Sequence, residues 1–202
     1  MRVVSLIGFL FCVACATPES TSADGFSIGG LRLEKTTRAD WYFPEDPPTA
    51  DFESRAISLH PAISYQYARD EFDAGRKENA GLWMYIGQFR YRALLTCKGA
   101  GPWNPEYDAF IAMREDVGTT VNGWLGGDLQ LWADTVHEAI EWYEGANDSF
   151  VPSPKCDEAR ARKKDDMNEL IDFLVKDPDG FRAQRAENGL ENRTEGAVTD
   201  PR

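Results

Sequence analysis

Residues 134–141, Asp134-Thr135-Val136-His137-Glu138-Ala139-Ile140-Glu141, form the run whose spacing most resembles a metal site. On a helix Asp134, His137, Glu138 and Glu141 fall on one stripe, because side chains three and four apart are neighbours. An imidazole flanked by carboxylates suits a divalent cation, and His-Glu matches the first half of the zincin H-E-x-x-H. Position 141 is Glu rather than a second His, however. A carboxylate site between helices also needs its stripe repeated on a facing helix. The other histidine, His60, stands in a different setting. The stripe points away from the apolar face formed by Leu129, Trp132, Val136 and Tyr143, so a solvated polar face accounts for it. Asp134, His137 and Glu141 stand as the metal candidates, and no cofactor is expected.

A second group of residues carries charge on faces that should be inward. Arg114 sits in the middle of the apolar stripe Tyr107, Phe110, Ile111, Val117, Val121, Trp124 and Leu125. Glu71 falls within the arc Ile63, Tyr67, Ala68 and Phe72. Arg92 flanks the core side of the segment 81–95, with Gln88 one turn before it. A buried guanidinium is costly unless paired. One reading is therefore a Glu71–Arg92 or Glu71–Arg114 ion pair that fixes helix register. The other is a cleft in which Arg92, Arg114 and Gln88 hold a small anionic ligand. Nucleophilic catalysis has less to recommend it, since the sequence contains no Gly-x-Ser-x-Gly elbow.

The cysteines depend on the address. Arg2, the apolar run Val3–Val13 and the small residues after it read as an export leader. Two cleavage readings are open. Ala14-Cys15-Ala16 is an A-x-A-like site, whereas Cys12-Val13-Ala14-Cys15 resembles a bacterial lipobox with Cys15 as the lipidated residue. The lipobox reading is preferred, although Cys12 stands where that pattern usually has Leu. Export places Cys97 and Cys156 in an oxidising compartment, where a disulfide is the default. A lone free cysteine nucleophile conflicts with that pairing.

Composition narrows the partners. With 22 basic and 34 acidic residues the net charge is -12, so there is no cationic excess to displace counterions from nucleic acid or to hold anionic lipid. Membrane association is expected only through a lipid on Cys15. Aromatic residues make up 12% of the chain, ample for a packed core.

The segment 81–95 organises the rest. Leu82, Tyr85, Ile86, Phe89 and Ala93 share one side, and Trp83, Met84, Gly87, Tyr91, Leu94 and Leu95 cover most of the remainder, the pattern of a buried helix. Around it the periodicity predicts helices from Pro61 to Gly75, from Asn104-Pro105 to Leu125 with a weak point near Gly118, from Leu129 to Tyr143, and from Asp157 to Val175. A further turn is expected around Phe181. Trp83-Met84-Tyr85-Ile86-Gly87-Gln88-Phe89-Arg90-Tyr91-Arg92 resembles a W-x-Y-x-G-Q-x-R-x-R stretch of exported bacterial helical proteins. The resemblance covers about ten residues and implies the same address and fold class, without an activity.

The expectation is a mostly α protein, an irregular bundle of about five helices around a buried central helix, with an irregular or short β segment ahead of it. Its parts are a leader over 1–15, a linker over 16–24, an irregular aromatic segment over 25–56, a helical domain over 57–186 and a disordered tail over 187–202. The expected role is a non-catalytic, envelope-localised module that binds another envelope protein. A periplasmic binding protein for an anion near Arg92/Arg114 is the first alternative, and a metal-dependent enzyme using Asp134, His137 and Glu141 the second.

Overall fold

A computed structural model describes residues 51–202 and, ahead of them, only the backbone of the short stretches Phe26–Ile28, Leu31–Lys35 and Trp41–Tyr42. The leader, Cys15 and most of the aromatic segment lie outside the described residues.

From residue 51 onward the chain is mostly helical. The short α1 (Phe52–Arg55) runs into a 3-10 turn (Ala56–Ser58), followed by α2 (Ala62–Asp73), α3 (Lys77–Lys98) and α4 (Pro105–Met113). After α4 come α5 (Thr119–Leu125), α6 (Leu129–Tyr143), α7 (Asp157–Lys176) and α8 (Pro178–Glu187). Local chemistry sets the boundaries. Asn104 accepts a hydrogen bond from the Glu106 N–H with Pro105 in the first turn, and Asp128 does the same for Leu131. Asp177 and Pro178 open α8 in this way, so the turn expected around Phe181 extends into a full helix. Gly99, at φ 65°, ends α3 in the left-handed conformation that glycine adopts without steric cost.

The weak point near Gly118 does not break its helix. Residues Arg114–Gly118 form a single π turn between α4 and α5, which takes up an extra residue while Val117 and Val121 still face the core.

The core is built on α3, which touches α2, α4, α5, α6 and α7. Met84, Tyr85, Ile86, Tyr91 and Ala93 on it are all buried. Along one flank Phe52, Tyr67, Trp83 and Trp142 form an aromatic cluster, with the tilted Phe52–Tyr67 pair at 4.2 Å between centroids and the edge-on Trp83–Trp142 pair at 5.4 Å. Deeper in, Tyr85 donates to Asn122 Oδ1 at 2.9 Å and accepts from Trp132 Nε1 at 2.5 Å, joining α3, α5 and α6.

Gly87 sets the spacing of the closest helix pair. A Cβ there would lie 2.9 Å from Ser64 Cβ and 3.2 Å from the Tyr65 ring, so α2 and α3 cross where only hydrogen fits. Gly87→Ala is expected to cost about 1–3 kcal/mol, the range for an overpacked core, read as a lower midpoint in denaturant with an unchanged slope.

The C-terminal residues differ from the expected disordered tail. Beyond α8 the chain crosses the α5–α6 turn, where the Arg193 and Thr194 N–H groups both donate to the Gly127 carbonyl. Arg193 stacks over the Trp124 ring at 4.3 Å, Val198 is buried, and Arg202 pairs with Asp172 on α7. Composition hides this strap because a single apolar residue anchors it, and hydrogen bonds, the Arg193 stack and the Arg202 ion pair do the rest.

Candidate functional site

The most completely buried charge in the described residues is Arg90, at 0% exposure. It lies on α3 in line with Ile86 and Leu94. Its Nε donates to Asp148 Oδ2 at 2.8 Å, and its remaining donors reach the carbonyls of Ala56 (2.7 Å), Ile57 (3.1 Å) and Leu59 (2.7 Å). Asp148 also accepts from the Tyr143 hydroxyl at 3.1 Å and from the Phe150 N–H at 2.9 Å. Burial, with the Asp148 carboxylate second, pushes the Tyr143 hydroxyl's pKa well above its usual range. The cluster ties three separate stretches together: the 3-10 turn, α3 and the loop after α6. All of these donors are spent on the protein itself, which makes it a structural clasp rather than a ligand site.

The inward charges expected to pair with one another do not. Glu71 is buried, but its partner is Arg76, through two bonds at 2.6 and 2.5 Å, with Asn79 adding a third at 2.8 Å. These bonds, Arg76's first, hold the Glu71 carboxyl below its usual pKa. Arg76 follows the turn at Gly75 and folds back over the end of α2, so the short-range partner takes precedence over both distant arginines. Arg92 is half-buried and bridges to Asp166 on α7 at 2.9 Å, where Lys163 also bonds at 2.8 Å. Arg114 is half-buried at the start of the π turn, and Gln88 is half-buried on α3. Arg92 and Arg114 nonetheless act on a common group. The Tyr65 hydroxyl is fully buried with no hydrogen-bond partner among the described residues, and its pKa, driven up by burial, is pulled back by both guanidiniums.

The metal-like stripe of α6 serves as the strap's seat. Gln130 Nε2 donates to Asp134 Oδ1 at 2.8 Å and to the Thr199 carbonyl at 3.1 Å, and the Thr199 N–H returns a bond to Gln130 at 2.7 Å. His137 pairs with Glu141 at 3.5 Å along the helix. Arg202, with a smaller pull from His137, holds the neighbouring Asp200 carboxyl down at about 2. Asp134 and Glu138 are exposed, and no group of three or more metal-ligating side chains is gathered among the described residues.

The disulfide creates a more distinctive feature. Cys97 and Cys156 are joined across Cα atoms 5.2 Å apart, tying the end of α3 to the start of α7. Between that bond and the cap of α4 runs Gly99-Ala100-Gly101-Pro102-Trp103-Asn104. The Ala100 N–H donates to Leu95 and the Asn104 N–H to Gly101, so both ends of the loop are fixed. Trp103, at its tip, is 95% exposed and has φ 74°, the one positive φ among described non-glycine residues. A tryptophan in the left-handed region costs about 1–2 kcal/mol, and such strain collects at working sites. The sequence carried the signal. A tryptophan set between Gly-Pro and Asn-Pro has no helix face on which to hide.

Below this loop sits a second polar cluster. His60 Nδ1 accepts the Ala62 N–H at 3.2 Å, which places the ring proton on Nε2 and makes it the donor to Glu106 Oε1 at 3.2 Å. Lys98 reaches the same carboxylate at 2.9 Å. His60's bond, then that of Lys98, holds the Glu106 carboxyl below its usual pKa against the opposing effect of burial. Stability gained this way is present above the unfolded carboxyl's pKa of about 4.3 and is lost as pH falls through the lower folded value. Glu106→Gln is therefore expected to cost about 1 kcal/mol at neutral pH, with the deficit vanishing in acid, as read by unfolding midpoints across pH.

Compared with known proteins, the chain matches no protein-family model, no curated protein and no solved structure.

Proposed function

We propose that this chain is an exported, lipid-anchored helical module of the bacterial envelope, with a short β ribbon ahead of the bundle, and that it binds another envelope protein through the Trp103 loop. The leader-like N-terminus with Cys15 supports the address. A disulfide between Cys97 and Cys156 fits an oxidising compartment. Antiparallel pairing of Phe26–Ile28 with Leu31–Lys35 supports the ribbon.

The observation that carries the interaction reading is the exposed indole of Trp103, held in a strained backbone on a loop fixed at both ends. Tryptophan is the residue most enriched among interface hot spots, and a fixed presentation lowers the entropy lost on binding. Trp103→Gly tests this directly. Glycine accepts the same φ, so the variant should hold or gain up to about 1 kcal/mol of stability. In native mass spectrometry of protein taken from its own envelope fraction, the complex present with Trp103 should be absent with glycine. A complex that survives the substitution rejects the loop as the contact. The intact mass in the same experiment reads lipidation at Cys15.

A second reading, a periplasmic binding protein for a small anion, rests on the positive field that Arg92 and Arg114 both exert at the buried Tyr65 hydroxyl. Arg114→Leu separates the two: it should leave the Trp103-dependent complex intact, and loss of function at unchanged melting temperature favours the anion site.

A further inference from the structure

Where α2 ends and α3 begins, the chain holds one of its own cations against two aromatic rings. Lys77, the first residue of α3, places its ammonium 5.2 Å from the centre of the Phe72 ring and 5.8 Å from that of Trp124. Both distances lie within the roughly 6 Å over which a ring face attracts a cation. Among the described residues no carboxylate pairs with this ammonium, so the rings are what hold it. Phe72, Lys77 and Trp124 are all half-buried, which leaves the rings within reach of a solute. Beside them a cleft of about 300 Å³ lies between α2, the π turn and α5, and Phe72 belongs to its lining with Val117, Val121 and Asp73. Asp116 in the same lining is spent on Arg69, whereas Asp73 is exposed.

A lysine is a weak occupant for such a ring pair. Its ammonium is strongly hydrated and sits on a flexible stem, so it gives up water and freedom to stay there. A quaternary ammonium donates no hydrogen bond to water, loses less on entering and feels the same attraction from the rings. We propose that Phe72 and Trp124 form a binding site for a small quaternary-ammonium compound, which displaces the Lys77 side chain into solvent and extends into the cleft over Val117 and Val121. The chain's net charge of -12 draws cations toward it. Asp73 disfavours a phosphate in the cleft, so the ligand is a free choline-like cation and not a phospholipid head group.

The experiment is a titration of the disulfide-bonded chain with choline chloride, and with sodium chloride at equal ionic strength. The signals followed are the Trp124 indole N–H and the backbone amides of Phe72 and Lys77. Saturable shifts with choline and none with the sodium salt are expected. Lys77→Ala removes the internal competitor, so choline should bind about three- to sixfold more tightly to that variant. Trp124→Leu should weaken binding about tenfold. Absence of saturable shifts in both the wild type and Lys77→Ala overturns the proposal. So does a Lys77→Ala variant that binds no more tightly, a Trp124→Leu variant that binds as before, or binding to phosphatidylcholine vesicles without binding to choline.

Discussion

Asp148→Ala is expected to destabilise this protein by about 3–5 kcal/mol, the cost of stranding a buried charge. Arg90 would keep its three carbonyl partners at Ala56, Ile57 and Leu59 but lose the one charge of opposite sign that bonds it among the described residues. With both side chains at 0% exposure, water cannot replace the carboxylate. The Tyr143 hydroxyl and the Phe150 N–H would lose their acceptor in the same step. The check is equilibrium unfolding in denaturant with the disulfide intact. Asp148→Asn should fall between the wild type and Asp148→Ala, because the amide oxygen still accepts while the charge is gone. Replacing both partners by apolar residues is expected to recover only part of the loss, since three backbone carbonyls would then want a donor. A change within about 0.5 kcal/mol for Asp148→Ala would mean that the clasp does not hold the core together.

The second large effect is removal of the disulfide. Cys97 and Cys156 are 59 residues apart, and closing a loop of that length in the unfolded chain corresponds to about 4 kcal/mol in the chain-entropy model. The Cys97→Ala/Cys156→Ala variant should therefore lose about that much, with its native spectrum preserved, because α3 and α7 also share a packed interface. Reduction of the wild type should reproduce the loss. The effect on the Trp103 loop is separate: the covalent tie next to its first end disappears while the Ala100 and Asn104 N–H bonds remain, so the loop should lose some order even where the bundle remains folded.

Much of this architecture was readable from residue patterns, and the failures have physical causes. The helices were legible because caps and periodicity agree, as with Asn104-Pro105 at α4 and Asp128 at α6. The cysteine pair is legible from the two cysteines, Cys97 and Cys156, that stand outside the leader-like N-terminus. Arg90 was not singled out because α3 is apolar nearly all round, so no face marks the inside, and because its partner lies 58 residues away in a loop without periodicity. The same absence of local signal concealed the strap: Val198 is its one buried apolar residue, and hydrogen bonds to Gly127 leave no trace in composition. Glu71 was correctly placed inward, but the partner choice went to the near Arg76 rather than to Arg92 or Arg114, because a short turn brings it there at little entropic cost.

The role of the Trp103 loop stands or falls on one measurement: site-specific photocrosslinking in cells, with a photoreactive phenylalanine analogue at position 103 and, as control, at Glu169 on the exposed face of α7. A single discrete protein adduct is expected at position 103, absent at 169 and diminished when the disulfide is removed. Identical patterns at the two positions, or no protein adduct at 103, would contradict it.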